Sequence, residues 1–447
     1  SGINVGRVKV GAYLINGAFV GIAGILLMSR TIVGAPNAGQ GYEFEALTAA
    51  IIGGTSFSGG LGTAGGTLAG AFIVGFLNNI MNCDITEITG ADNLFQTEGI
   101  IRETMEHYGD LYEVMNSYLL INGTSGGIIA SILASVRKGH KLVMARNCHK
   151  AVFNALTLGD IDPVYAYPQM NEEFGISGPI ASDEIARLLD ENEDADAVIL
   201  PSPNYYGICS DIAAIADEVH KRGKVLIVDQ AHGPHLKFFS KYKTRADGMI
   251  PADGAMPATA GMPDDDMPLS AEESGADLII NSTHKTLASL TQSAILNRNS
   301  ERVSRFLLED KLQCIESTSP SYILMASLDI NAAILKDHGS ELIKKWKDNL
   351  KYFYKEAAAI KGLRVMQPQD NLDWTKINIS FGDLGISGAR LEEILIQDHD
   401  IYIELFTGNL VMCMTGIGNS REDISRLLVA LKEISARGTE TEVHNAN

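Results

Sequence analysis

Ser282-Thr283-His284-Lys285 follows an apolar run, Ala276 to Ile280, that reads as a short buried strand. A lysine at a strand end, in a partly dry pocket, loses its proton and becomes an amine nucleophile. Such an amine is what a Schiff base with an aldehyde cofactor requires. Ser282, Thr283 and His284 are suited to holding a phosphate beside it. The run alone is a weak signal, because similar strings are ordinary in surface loops. Asn122-Gly123-Thr124-Ser125-Gly126-Gly127 opens a helix and offers free N–H groups and hydroxyls, an anion cradle that glycine-rich helix starts often share. His149, in Asn147-Cys148-His149-Lys150, could stack on an aromatic ring or simply cap a helix. Asp229, at the end of an apolar strand in Val228-Asp229-Gln230-Ala231-His232, needs a cationic or hydrogen-bonding partner if buried. A protonated pyridine nitrogen would serve, and a turn or helix-cap role is as compatible. Ser202-Pro203-Asn204-Tyr205-Tyr206-Gly207 reads only as a turn at a strand end.

The elements that would position these residues alternate. Lys141 to Ala145, Ala197 to Leu200, Val225 to Val228 and Ala276 to Ile280 read as strands. Gly126 to Val136, Ser182 to Leu189 and Asp211 to Lys221 read as helices, with Ser182 as the cap of the second. That alternation predicts an α/β domain whose mainly parallel sheet is covered on both faces, with ligands at the strand ends. A later block predicts a small α+β domain: strands Lys376 to Ser380, Ile401 to Leu405 and Leu410 to Met414, and helices Ser387 to Gln397 and Ser420 to Ile434. Residues 240–268 are rich in Gly, Pro, Met and Asp without periodicity and read as a solvated insertion. The stretch 439–447 reads as a disordered tail. The expected division is 1–82, 83–330, 331–438 and that tail.

A net charge of −19 argues against nucleic acid as the partner. Five scattered cysteines without a C-x-x-C pair fit a reduced, cytoplasmic protein better than a disulfide framework. A zinc site from Cys148, His149, His232 and His235 follows no recognised ligand spacing, so no metal is expected. Residues 1–82 differ from the rest. Gly11 to Met28 is uncharged between Lys9 and Arg30, and Ala46 to Cys83 carries no charge and many glycines. Both runs suit membrane helices that pack through small residues, so attachment to the inner membrane is an expectation for this segment. Around Gly2 to Lys9, Ser29-Arg30, Glu45 to Leu47 and Ile52 to Ser56 the segment resembles the C-terminal part of a ribose-type sugar ABC-transporter permease, as a fragment too short to form a pore.

From Asp84 through Ile434 the chain resembles the bacterial-type ornithine, lysine and arginine decarboxylases, pyridoxal-phosphate enzymes with the aspartate-aminotransferase fold. The resemblance rests on Asp92 to Leu94, Asn122 to Gly126, Arg146 to Lys150, Pro203 to Gly207, Asp229 to His232, Ser282 to Lys285, Leu290 to Gln292 and Ser317 to Tyr322. It implies pyridoxal 5′-phosphate as cofactor and a basic amino acid as substrate. Lys285 would carry the cofactor, Asp229 would hold its ring nitrogen protonated and His149 would stack on the ring. Thr124, Ser125, Gly126, Ser282 and His284 would hold the phosphate, and Ala231 and His232 would line the ring's other side. Thr318 would reach a neighbouring subunit's site, which implies a homodimer or higher oligomer. The sequence departs from the family at its N-terminal His-x-Pro-Gly-His-Lys stretch and its C-terminal domain, both missing. Gln230 stands where Glu is usual, and Pro234 where Ala is common. Other pyridoxal chemistry such as transamination, or a silent membrane-associated fusion, stays open at this point.

Overall fold

The structure, a computed structural model, describes residues 4–32, 34–35, 39–56, 61–241 and 267–445. Two compact units divide it, Ser1–Asp84 and Ile85–Asn447.

The first unit is helical: α1 (Val5–Thr31), α2 (Tyr42–Ile52) and α3 (Ala64–Cys83). Asn4 caps α1 through its side chain, and Thr63 does the same for α3. Helix α1 buries none of its residues, although it is apolar all round. Both α1 and the Ala64–Met81 part of α3 are long and apolar enough to cross a bilayer. Helices α2 and α3 approach backbone to backbone. A Cβ on Gly70 would collide with the Ala49 carbonyl, and one on Gly53 with the backbone of Gly66. Small residues four apart on each helix, Ala49 and Gly53 against Gly66 and Gly70, make that approach possible.

The second unit begins with α4 (Ile100–Tyr112), β1 (Asn116–Leu120), α5 (Gly123–Ser135), β2 (Lys141–Ala145), α6 (Lys150–Gly159) and β3 (Asp162–Ala166). A short hairpin, β4 (Met170–Asn171) and β5 (Ile176–Ser177), precedes α7 (Ser182–Glu191). There follow β6 (Ala195–Pro201), α8 (Ile212–Lys221), β7 (Val225–Asp229), α9 (Leu236–Lys241), β8 (Leu278–Asn281), α10 (Thr283–Thr286) and β9 (Ala294–Arg298). Seven strands form one sheet in the order β1-β9-β8-β7-β6-β2-β3. All run parallel except β9, which is antiparallel to both its neighbours. The central strands are buried end to end, as their unbroken Val/Ile/Leu runs require. One face packs a core with α5, α6 and α11 (Arg305–Ile315), the other with α7 and α8.

Helix α12 (Tyr322–Ala357) links this layer to a second sheet, β10 (Arg364–Val365), β11 (Lys376–Ser380), β12 (Leu405–Thr407) and β13 (Leu410–Met414), ordered β10-β11-β13-β12. Helices α13 (Gly388–His399) and α14 (Arg421–Asn445) complete the unit. Several sequence expectations shift. Ala181, not Ser182, is the N-cap of α7, and no side chain caps it. In the stretch expected as a strand from Ile401 the strand itself begins at Leu405, and Ile401 and Ile403 pack, partly buried, against the core. Helix α12 runs unbroken across 330–331, where a boundary was expected. Helix α14 takes in most of the stretch read as a tail. The expected insertion lies almost wholly outside the described residues, with 240–241 closing α9 and 267–268 leading toward β8.

Candidate active site

The C-terminal ends of the parallel strands bring the chemistry together. Strand β7 ends at Asp229, which is 7 % exposed. Among the described residues its carboxylate takes one hydrogen bond, from the Ala231 N–H at 3.2 Å, and no Lys or Arg pairs with it. Burial pushes this carboxyl up, against the Ala231 bond and the pull of His149 and Lys285. One strand over, β8 delivers Ser282 and the single turn α10 that carries Lys285. Lys285 Nζ lies 2.8 Å from His232 Nε2. Burial lowers the amine's pKa, Asp229 and Glu404 oppose that, and Lys376 adds to it. His232 is driven well below its usual range by burial and then by the Lys285 and Lys376 charges, so it is neutral. Its Nδ1 is buried without a partner among the described residues.

Helix α5 opens with Gly123 at φ +71°, and the Asn122 side chain makes no cap bond, so the first N–H groups of the helix are left for a ligand. Thr124 and Ser125 are half-buried on that turn, and Gly126 is buried. Glu316 closes the turn from behind. Its Oε2 accepts from the N–H groups of Ile121 and Asn122, at 3.1 and 3.0 Å. A Cβ on residue 126 would stand 2.5 Å from Glu316 Oε1, which explains the glycine.

A fit test for a phosphorylated pyridine aldehyde follows from these features. The group needs an acid for its ring nitrogen, an amine for its aldehyde and N–H donors for its phosphate. Asp229 is a buried acid that meets no Lys or Arg among the described residues, Lys285 is an amine with a depressed pKa, and the α5 start has no side-chain cap. The buried, unpartnered Nδ1 of His232 is a further polar atom awaiting a ligand. The residues fit the group.

The profile of the family described as Orn/Lys/Arg decarboxylase, major domain, matches residues 64–253 and 252–377. The chain belongs to that family. Arginine decarboxylase of Bacillus subtilis is 29 % identical over 375 residues, 82 % of this chain and 71 % of that one. The constitutive lysine decarboxylase of Escherichia coli superimposes with a TM-score of 0.66 at 21 % identity, covering 82 % of this chain and 56 % of its own length. Lysine decarboxylase A from Pseudomonas aeruginosa gives 0.67 at 19 % identity, with 55 % of its length covered. The chain therefore spans little more than half of these solved enzymes. Residues 1–89 match a second profile, the branched-chain amino acid transport system / permease component. There the ribose import permease protein RbsC of Escherichia coli is 48 % identical over 82 residues, 18 % of this chain and 26 % of the permease.

Relative to the family pattern, the structure brings Lys285, Asp229, Ala231, His232, Ser282 and His284 into one neighbourhood at the ends of β7 and β8. His149 is the exposed N-cap of α6, its Nδ1 accepting from the Ala151 N–H at 3.2 Å. Thr318 stands on an exposed turn between α11 and α12. Among the described residues no group of His, Cys, Asp and Glu is placed to hold a metal, so Cys148, His149, His232 and His235 do not converge. Gln230 has an account. Its amide donates to Glu272 Oε2 and Asn281 Oδ1, both at 2.9 Å, and its oxygen accepts from the Ala271 N–H at 2.7 Å. A glutamate there could donate neither bond and would face Glu272. Sequence reasoning missed Glu404 and Lys376 and read Tyr205 only as part of a turn at a strand end. The Tyr205 hydroxyl donates to Glu404 at 2.9 Å, and its ring lies 4.5 Å from that of His232. Nothing in the one-dimensional pattern joins Glu404 to residues 205, 232 and 285.

Proposed function

We propose that the second unit decarboxylates a basic amino acid with pyridoxal 5′-phosphate, releasing the amine and CO2. The observation that carries this reading is Asp229, a buried carboxyl that meets no Lys or Arg among the described residues, one strand from a lysine whose amine pKa is lowered by burial and whose Nζ lies 2.8 Å from His232 Nε2. When bound, the cofactor supplies an aldehyde for amine exchange and a ring that accepts the electron pair left by CO2. Asp229 would hold the ring nitrogen protonated, and the first turn of α5 with Ser282 and His284 would hold the phosphate. Neutral His232 would accept a hydrogen bond from the Lys285 amine and hold it in place. Lys285, returned to its free form, would place one proton on the carbon that lost CO2. His149 would cover the ring from the α6 cap.

Glu404 favours a cationic substrate. It is exposed, acts electrostatically on Lys285 and is braced by Tyr205, so a second ammonium or guanidinium on the substrate has an acid to meet. The exposed turn at Thr318 is suited to serve a second copy of the chain, giving a homodimer. For residues 1–82 the reading is membrane attachment through α1 and α3, and for 83–330 and 331–438 a large and a small domain of one enzyme.

Visible absorption of the full chain with added cofactor, borohydride reduction and peptide mass mapping test the site. The expected result is a coloured protein with the adduct on Lys285 and CO2 release from lysine, arginine or ornithine. An adduct without CO2, and keto-acid formation instead, would move the reading to transamination. A colourless protein with no adduct would overturn it in favour of a silent fusion.

A further inference from the structure

The second sheet sends one cation into the site's supporting layer. Lys376, the first residue of β11, is fully buried, and its ammonium is saturated by acceptors. Nζ donates to the His232 carbonyl at 2.6 Å, Asp373 Oδ2 at 2.8 Å and Thr375 Oγ1 at 3.1 Å. Three protons meet three acceptors, so the position of Nζ is set from all sides. One of those acceptors is the main chain of the residue whose ring touches Lys285. Asp373 is bound as tightly. Its Oδ1 accepts from Thr375 Oγ1 at 2.6 Å and lies 3.1 Å from His235 Nε2. Burial works against its charge, yet His235 and Lys376 hold the carboxyl well below the usual carboxylate range. His235 Nδ1 in turn lies 3.1 Å from Thr286 Oγ1, the neighbour of Lys285. The Thr286 carbonyl accepts from the Ile417 N–H at 2.9 Å, a second tie from the same layer.

We propose that Lys376 is a positioning residue for Lys285, holding the His232 ring against the reactive amine through the His232 carbonyl and presenting a second cation behind it. The proposal rests on the pyridoxal reading for its purpose but not for its test. The layer that carries Glu404 toward the substrate thereby also fixes the amine that substrate must displace. Several charged or titratable groups act on the amine: Asp229 from β7, His232 from the loop after it, His284 from α10, Lys376 from β11 and Glu404 before β12. Lys376 is the only second cation in that set besides the neutral histidines' potential charge. Losing it therefore raises the amine's proton affinity.

The test reads the amine without cofactor. Apo protein is acetylated with trace acetic anhydride across a pH series, and Lys285 modification is followed by peptide mass spectrometry. Lys376→Met is expected to move the Lys285 midpoint upward, read as a loss of reactivity on the acid side of the wild-type midpoint. Lys376→Arg, which keeps the charge, is expected to stay near wild type. Because Lys376→Met strands a buried carboxylate and could unfold the protein, the neutral pair Asp373→Asn/Lys376→Met is measured beside it and should shift the same way. Leu395→Ala, at a fully buried site on α13, loses stability without touching the network and should leave the midpoint in place. A folded Lys376→Met or neutral pair with the wild-type midpoint overturns the proposal, as does an equal shift in Leu395→Ala. Failure of the wild type to colour with pyridoxal phosphate would sink the enzymatic reading while leaving this outcome readable.

Discussion

The two units spend the same residue types on opposite ends. In the second, Val143, Leu200, Ile227 and Ile280 vanish into cores on either side of one sheet. In the first, Leu14, Phe19, Ile25 and Leu26 stand more than half exposed along α1, and the tight contact is the glycine seam of α2 with α3. Water drives the first arrangement, because it removes apolar surface from solvent. The second makes sense where the surroundings are themselves apolar and helices meet through backbone approach. A chain can therefore be apolar for two unrelated reasons, and burial tells them apart where composition does not.

The sharpest way to test the contrast is to damage each unit and ask whether the other notices. Lys285→Ala should abolish the borohydride-stable adduct and lower CO2 release by at least about 10³-fold, with the helical first unit unaffected. Asp229→Asn should keep bound cofactor but slow turnover by roughly 10²–10³-fold, since it cannot hold a ring proton by charge. Steady-state rates with a cofactor titration separate these two outcomes. Gly70→Leu should break the α2–α3 contact at a cost of about 3 kcal/mol, seen as faster amide exchange in those helices, with the visible spectrum unchanged. A spectrum that changes would mean the units are not separable. Recovery of wild-type chain in the membrane fraction after carbonate washing would support the reading of α1 and α3, and its release would refute it.

The smallest expected effect concerns pH. Burial pushes the Glu316 carboxyl up to about 7, with the Asn122 and Ile121 N–H groups pulling the other way. The folded form thus holds this proton more tightly than the unfolded one. Stability falls as pH rises from the unfolded carboxylate range to about 7, and above that the loss is complete. Glu316→Gln should remove this slope. The variant's advantage over wild type should grow through that window to on the order of 2 kcal/mol and then level off. Denaturant titrations at pH 5 and pH 8 measure it, and equal differences at both would contradict the assignment.

Much of the site lay open in one dimension. Local composition marks Asn122 to Gly127, Asp229 to His232 and Ser282 to Lys285, because each must end a buried strand or begin a helix with small or polar residues. Strands β2, β7, β11 and β13 were visible for the same reason, as short apolar runs between breaks. Helix α12 was not, since its buried face includes Ser327, Asn331, Lys347 and Asn349. Those look like surface positions until their partners are seen: Asn331 reaches the Tyr108 hydroxyl at 2.8 Å, and Lys347 the Phe239 carbonyl at 3.1 Å. Strand β9 was missed because its Asn297 and Arg298 are buried polar residues as well.

By itself, the sequence marked candidate groups for chemistry, through the family pattern they resemble, and predicted an alternating sheet, since strand and helix periods are local properties of the chain. It also marked residues 1–82 as suited to a different solvent. Tertiary structure alone decided that Asp229 meets no Lys or Arg among the described residues, that His232 rests on Lys285, and that Lys376 and Glu404 come to them from residues far along the chain. Those facts depend on distances across strands and between sheets. Burial makes each of them consequential by removing the water that would otherwise satisfy every group alike.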